Sequence, residues 1–247
     1  MDQSRVQAIH YAKCSQFAYK DKLTKKELQE LGYTKYKLID VENAQCMILE
    51  NTTSITLAFR GTEPGEIKDI TADLKAWKHR SQVSLGKVHD GFYDELKKVW
   101  DPVTTHVNRG KNKDKTINVT GHSLGGGMAT IAASRLKGRV IDLYTYGSPR
   151  VGNYKWTQVN WDLKHHRFVN NNDVVPKVPL WIMGYRHQGE LQYINYYGDF
   201  RSATAWQRIK DQWRGRWEAL KKFKLFDGLG DHAIGNYVDK LENPIPR

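Results

Sequence analysis

The chain has 247 residues, with 39 Lys and Arg against 27 Asp and Glu, for a formal charge of +12. At 39% hydrophobic and 11% aromatic residues it is too apolar for a disordered chain, and it is long enough to bury one full-sized core. Its two cysteines, Cys14 and Cys46, exclude a disulfide scaffold, and neither has a metal-ligand spacing. The excess positive charge points to an anionic partner without choosing among nucleic acid, anionic lipid and an acidic substrate.

The first twenty residues lack an uninterrupted apolar run and a small-residue cleavage site, so they do not read as a signal peptide. No run of about 18 apolar residues occurs, so no transmembrane helix is expected. The default expectation is a cytoplasmic protein, with peripheral membrane association and signal-less export both compatible with the chain.

The first 35 residues read as helix. Val6, Ile9, Ala12 and Phe17 form an imperfect stripe, and Thr24 with Glu27 matches a capping box. Strand-like runs follow at Tyr36–Val41, Ala44–Glu50 and Ser54–Arg60, the last two separated by turn residues Asn51 and Thr52. A breaker cluster at 61–65 precedes apolar residues at helical spacing, Ile67, Ile70, Leu74 and Trp77. A longer helix is expected from Gly91 to His106, a strand from Thr116 to Thr120, a helix from Ser123 to Leu136, and strands at Val140–Tyr146 and Arg167–Asn170. Tyr185–Tyr197, with Gln188-Gly189 in its middle, reads as a hairpin. Arg201–Phe226 reads as a basic helix, Gly228–Asp231 as a turn and Ala233–Leu241 as a last helix. Strands alternating with helices imply an α/β fold, with a mostly parallel sheet covered on both faces. No linker divides the chain, so residues 1–247 are expected to form a single domain carrying the basic, Trp-rich segment 201–226 as an insertion.

Gly121-His122-Ser123-Leu124-Gly125 is a G-x-S-x-G pentapeptide between a predicted strand and a predicted helix. A serine there sits on a strained turn at a helix N-terminus, and its neighbours approach so closely that both flanks need glycine. A serine hydroxyl needs a base, and the base needs a carboxylate. Downstream, the histidines are His165, His166, His187 and His232. His165 and His166 begin a strand, at the wrong end, whereas His232 lies on a loop before the last helix. Asp173 follows the 167–170 strand, where catalytic groups of parallel sheets collect. Asp142 falls inside a strand and reads as structural.

Six ordered motifs make the chain resemble the class 3 (fungal-type) lipases of the α/β-hydrolase superfamily. They are Phe59-Arg60-Gly61-Thr62, Val88-His89-Asp90-Gly91-Phe92, Gly121 to Gly126, Gly147 to Asn153, Asn172 to Pro176, and Asp231-His232 with Tyr237 after it. The resemblance spans roughly residues 36–241. It implies an α/β-hydrolase fold and a triad of Ser123, Asp173 and His232, in agreement with the positional reading. It also implies an oxyanion hole formed by the backbone N–H of Leu124 and by Thr62, and it places a lid helix at about 66–77, with Ile67, Ile70, Leu74 and Trp77 on its apolar face. No metal or other cofactor is implied.

Segment 201–226 holds eight basic residues (Arg201, Arg208, Lys210, Arg214, Arg216, Lys221, Lys222, Lys224) and two acidic ones (Asp211, Glu218), a net +6 in 26 residues. Trp206, Trp213 and Trp217 share a helical side that Lys210, Arg214 and Lys221 flank, the pattern of an interfacial helix on an anionic membrane. The expected activity is serine-dependent hydrolysis of lipid esters, either acylglycerols or phospholipids. A soluble short-chain carboxylesterase and a catalytically silent membrane-binding module are the alternatives. Nucleic acid is not an expected partner, and the sequence leaves the oligomeric state open.

Overall fold

The computed structural model describes residues 2–62, 78–80, 85–195, 197–201 and 232–244. Helices α1 (Gln3–Phe17) and α2 (Lys25–Glu30) come first, then strands β1 (Lys35–Val41), β2 (Ala44–Glu50) and β3 (Ser54–Phe59). The capping box at α2 is formed in both directions. Thr24 Oγ1 accepts from the Glu27 N–H at 3.2 Å, and Glu27 accepts from the Thr24 N–H at 2.7 Å. Asn51 makes the turn into β3 by accepting from the N–H groups of Thr53 and Ser54 at 3.0 and 2.8 Å.

After β4 (Lys78–Arg80) and β5 (Lys87–His89) the chain runs through α3 (Asp90–Asn108), β6 (Thr116–His122), α4 (Leu124–Arg135) and β7 (Val140–Tyr146). It continues through β8 (Gly152–Asn153), α5 (Tyr154–Val159), β9 (His165–Asn170), β10 (Tyr185–Arg186), β11 (Glu190–Ile194), β12 (Phe200–Arg201) and α6 (Ile234–Glu242). The main sheet has the order β1-β2-β3-β6-β7-β9-β11-β12. Its central run β3-β6-β7-β9-β11 is parallel, and both edges are antiparallel.

Both faces of the sheet are covered, and β2 shows how. All seven of its residues are buried. Cys46 and Ile48 join the core under α3 and α4, while Met47 and Leu49 join the one under α1 and α2. Alternation of side chains along a strand produces this division, and a strand between two cores reads as a continuous apolar run.

Two details depart from the sequence reading. On α1 the buried residues are Ala8, Ala12, Cys14, Ser15 and Phe17, so Ala12 and Phe17 of the expected stripe are buried while its first residue, Val6, is about half exposed. Small residues let the helix lie close against the sheet, where Ser15 Oγ meets Thr120 Oγ1 at 2.7 Å and the Tyr146 hydroxyl donates to the Ala8 carbonyl at 2.5 Å. The expected hairpin at 185–197 does not form. Strand β10 pairs with β8 in a second sheet of order β10-β8-β5-β4, and β11 pairs parallel with β9. Gln188 is not a turn tip. It is buried, accepts from His165 Nδ1 at 2.6 Å and donates to the Asn160 carbonyl at 2.9 Å, tying the crossover between the two sheets. The expected lid, with Ile67, Ile70, Leu74 and Trp77, lies outside the described residues. So does the basic helix beyond Arg201, with Trp206, Lys210, Trp213, Arg214, Trp217 and Lys221.

Candidate active site

Ser123 joins β6 to α4 with φ 58° and ψ −130°, a left-handed conformation that costs a non-glycine residue about 1–3 kcal/mol. The surroundings hold it there. A Cβ on Gly121 would lie 2.3 Å from the Gly125 carbonyl oxygen, and one on Gly125 would lie 2.2 Å from that of Phe59. Any side chain at either position would drive β6, α4 and β3 apart, so the two glycines make the tight turn affordable. Ser123 is the N-cap residue of α4, yet its side chain makes no cap bond. Its own N–H donates to the Tyr146 carbonyl at 3.0 Å.

Leu124 opens α4, so its N–H has no acceptor within the helix and sits at the positive end of the dipole. The segment that follows β3 and carries Thr62 passes directly beside the serine. A Cβ built on Gly61 would lie 3.1 Å from Ser123 Cβ and 2.4 Å from the His122 carbonyl oxygen. Both expected oxyanion donors therefore belong to segments that converge on Ser123.

Asp173 is fully buried just beyond β9. Its Oδ2 accepts from His232 Nδ1 at 2.8 Å and from the Tyr237 hydroxyl at 2.6 Å, and its Oδ1 accepts from the Val175 N–H at 2.9 Å. Tyr237, on α6, in turn accepts from the Asn170 N–H at 3.0 Å. Gly147, at φ +60°, makes room for the pair, because a Cβ there would lie 2.7 Å from Asp173 Oδ2 and 2.8 Å from His232 Nδ1.

The carboxylate contact assigns the His232 proton to Nδ1 and leaves a lone pair on Nε2. That Nε2 is buried and has no hydrogen-bond partner among the described residues. Ser123 and His232 are not hydrogen-bonded here, and such a contact is commonly loose before a substrate closes it.

His122 does more than occupy the elbow. Its Nε2–H donates to the His232 carbonyl at 2.6 Å, and its Nδ1 accepts from the Tyr19 hydroxyl at 2.8 Å. Burial, with His232 beside it, holds its pKa well below the ordinary imidazole value, so it stays neutral and keeps this donor pattern. The residue before the serine thus fixes the backbone of the loop that carries the histidine. Sequence reading missed this link and the part played by Tyr19, because nothing local connects residues about a hundred positions apart. It had noted Tyr237 without giving it a role.

The rival groups are engaged elsewhere. His165 bonds Thr145 and Gln188, and burial pushes its pKa down to about 3. His187 donates to the Pro176 carbonyl at 2.8 Å. Asp142 pairs with Lys164 at 2.7 Å and His166 at 3.6 Å.

A strained serine at a strand–helix turn, beside a buried carboxylate–histidine pair, is what the six motifs lead one to expect. The family model for class 3 lipases matches residues 56–183. The chain belongs to the class 3 lipase family. Among curated relatives, a secreted mono- and diacylglycerol lipase of Fusarium solani is 40% identical over 110 residues, which is 40% of this chain and 32% of the relative. Another, from Penicillium cyclopium, is 34% identical over 59% of this chain and 50% of its own length. The chain therefore spans about a third to a half of the curated relatives it matches. A solved triacylglycerol lipase whose catalytic centre is a serine-protease triad superposes with TM-score 0.69 at 25% identity, over 83% of this chain and 89% of that one. The fold of this chain is the α/β-hydrolase fold.

The relatives overturn one expectation. A cytoplasmic location does not stand, because the matched Fusarium and Penicillium lipases are secreted. The N-terminal stretch lacks a signal-like apolar run because it is α1, a helix packed on the sheet through small residues. A helix of the fold carries no information about export. No helix among the described residues is long and apolar enough to cross a membrane.

Proposed function

We propose that the chain is a serine-dependent carboxylic ester hydrolase acting on lipid esters, with Ser123 as nucleophile, His232 as general base and Asp173 as its partner. The observation that carries the reading is the buried Asp173–His232 pair, whose open Nε2 lies at the end of the sheet where the strained Ser123 sits. His232 Nε2 takes the hydroxyl proton of Ser123 as Oγ attacks the ester carbonyl. Asp173 stabilises the imidazolium and keeps its orientation. The N–H of Leu124 and the Thr62 segment receive the oxyanion, each donor contributing about 3 kcal/mol. His232 returns the proton to the departing alcohol. Water, activated by the same histidine, then releases the acid from Ser123.

Lipid esters are favoured over soluble short-chain esters by the relatives, which are acylglycerol lipases. The net charge of +12 favours substrates held in an anionic surface. Hydrolysis measured across a panel of acyl lengths, below and above substrate aggregation, tests the reading. Activity should rise on aggregated long-chain esters, and Ser123→Ala should lower it about 10⁶-fold. Full activity in Ser123→Ala would refute the mechanism. A preference for dispersed short esters would refute the substrate class.

A further inference from the structure

Three consecutive apolar residues stand in water at the catalytic end of the sheet. Leu180, Trp181 and Ile182 are 52%, 63% and 74% exposed, and they follow Asp173 by only a few residues. Val174, next to the carboxylate, is also exposed. Exposed apolar residues are ordinary when scattered, and a run of this kind calls for a partner.

The segment is held from below. The Arg150 guanidinium donates to the carbonyls of Lys177 and Pro179, and the Arg150 N–H donates to the Val178 carbonyl at 2.8 Å. Arg186 donates to the carbonyls of Trp181 and Tyr185, both at 2.8 Å, with its guanidinium 5.9 Å from the Trp181 ring. His187 fixes the Pro176 carbonyl. The Met183 and Gly184 N–H groups close a 3₁₀ turn on Leu180 and Trp181. Five backbone carbonyls are thus pinned by three side chains, so the apolar residues are presented by a fixed turn.

We propose that Leu180, Trp181 and Ile182 form an apolar tip that inserts into an anionic lipid surface and holds the candidate site against it. Three observations select this occupant. First, a 3₁₀ turn has about three residues per turn, so consecutive side chains fan out in three directions. That arrangement suits a tip surrounded by acyl chains, and it does not present the single face that a helix groove or a flat protein surface would cover. Second, the two arginines beneath the tip bond backbone carbonyls and have no acidic partner among the described residues, so their charge is left to meet anionic headgroups. Third, the same two cations, on a chain of +12, would oppose each other if two copies met tip to tip. Tryptophan at the headgroup boundary and arginine just above it are a favourable pairing for an interface.

The proposal rests on the ester-hydrolase reading only for why a lipid surface is the destination, and its test separates the two. Vesicles of phosphatidylcholine and phosphatidylglycerol in equal parts, and of phosphatidylcholine alone, are sedimented with the full chain. The protein carries Ser123→Ala, so that the vesicles survive. Trp181→Ser and the triple change Leu180→Ser, Trp181→Ser, Ile182→Ser are compared in that background. Binding to mixed vesicles should fall about tenfold for each apolar side chain removed, the equivalent of leaving it in water. Binding to phosphatidylcholine alone should be weaker from the start. In chains that keep Ser123, hydrolysis of a soluble ester and the thermal midpoint should be little changed by the tip substitutions. Unaltered vesicle binding by a folded triple variant overturns the proposal. So does a dimer in sedimentation that dissociates in the triple variant while vesicle binding persists, since the tip would then serve self-association. Tip-dependent vesicle binding by a chain that hydrolyses no ester upholds the tip and overturns the hydrolase reading instead.

Discussion

Histidine–carboxylate contacts occur at both ends of the main sheet, and they are built differently. At the amino end Glu50, the last residue of β2, accepts from His106 at 2.7 Å and from Lys115 at 2.9 Å. Nearby in kind, Asp142 is shared by His166 and Lys164. In each case a lysine answers the carboxylate charge, and the cluster is an ion-pair clasp between segments. At the carboxyl end Asp173 has no lysine or arginine among the described residues. It takes one N–H, one hydroxyl and one imidazole, all in a fully buried setting. Among the described residues, the only group that can answer its charge is His232, once that imidazole is protonated. Under the proposed mechanism, the difference lies in whether the carboxylate's counter-charge is supplied beforehand or only as the reaction proceeds.

That contrast is broken most sharply at Asp173. Asp173→Asn keeps the shape of the side chain and removes its charge. The amide's NH₂ can then face His232 Nδ1, which favours the tautomer with its proton on Nε2. The expected loss in kcat on a soluble ester is about 10⁴-fold, with KM little changed. An equal fall in both constants, or a loss under tenfold, would place Asp173 with the amino-end clasps.

Tyr237 sharpens the comparison from the neutral side. Its hydroxyl bridges the Asn170 N–H and Asp173 Oδ2. Tyr237→Phe should lower kcat about tenfold, the equivalent of one hydrogen bond to the carboxylate, and leave KM unchanged. A positioning role also predicts that the substitution adds little once Asp173 is already Asn, because the two act as a unit. Independent, multiplying losses in the double variant would show that the tyrosine acts elsewhere.

How much of this was legible beforehand follows from how local each feature is. The serine was readable because strand, turn and helix are contiguous, and because Gly121 and Gly125 record a close approach that only glycine permits. Asp173 and His232 were singled out from their places after a strand and before a helix, and the fold brings them into hydrogen-bond contact. The Tyr19–His122–His232 link was not readable, since it joins the turn just past α1, the elbow and the last loop across the tertiary structure. The helical stripe on α1 was right at Ala12 and Phe17, which are buried, and failed at Val6, because the helix's close approach to the sheet goes through the small residues Ala8, Ala12 and Ser15. The Gln188-Gly189 pair carries hairpin chemistry, yet the buried hydrogen bonds of Gln188 hold a crossover. Turn propensity is a local preference, and the pairing of β11 with β9 outweighed it.

The smallest effect belongs to the amino-end clasp, and it should be one of stability alone. Glu50 is driven up by burial and down by its hydrogen bonds to Lys115 and His106, and the bonds prevail, so its pKa lies below the ordinary value. A carboxylate whose pKa is depressed on folding stabilises the native state above its unfolded pKa, near 4.5. That contribution disappears as the pH falls through the depressed folded value. Glu50→Gln should therefore cost about 2 kcal/mol near neutral pH, the worth of charge-assisted bonds. The two proteins should converge in thermal midpoint as the medium is acidified below that range. Hydrolysis of a soluble ester should be unchanged at any pH where both are folded, because no step uses this pair. A kcat that fell with Glu50→Gln would mean that the two ends of the sheet are coupled, and the distinction drawn from their counter-charges would fail.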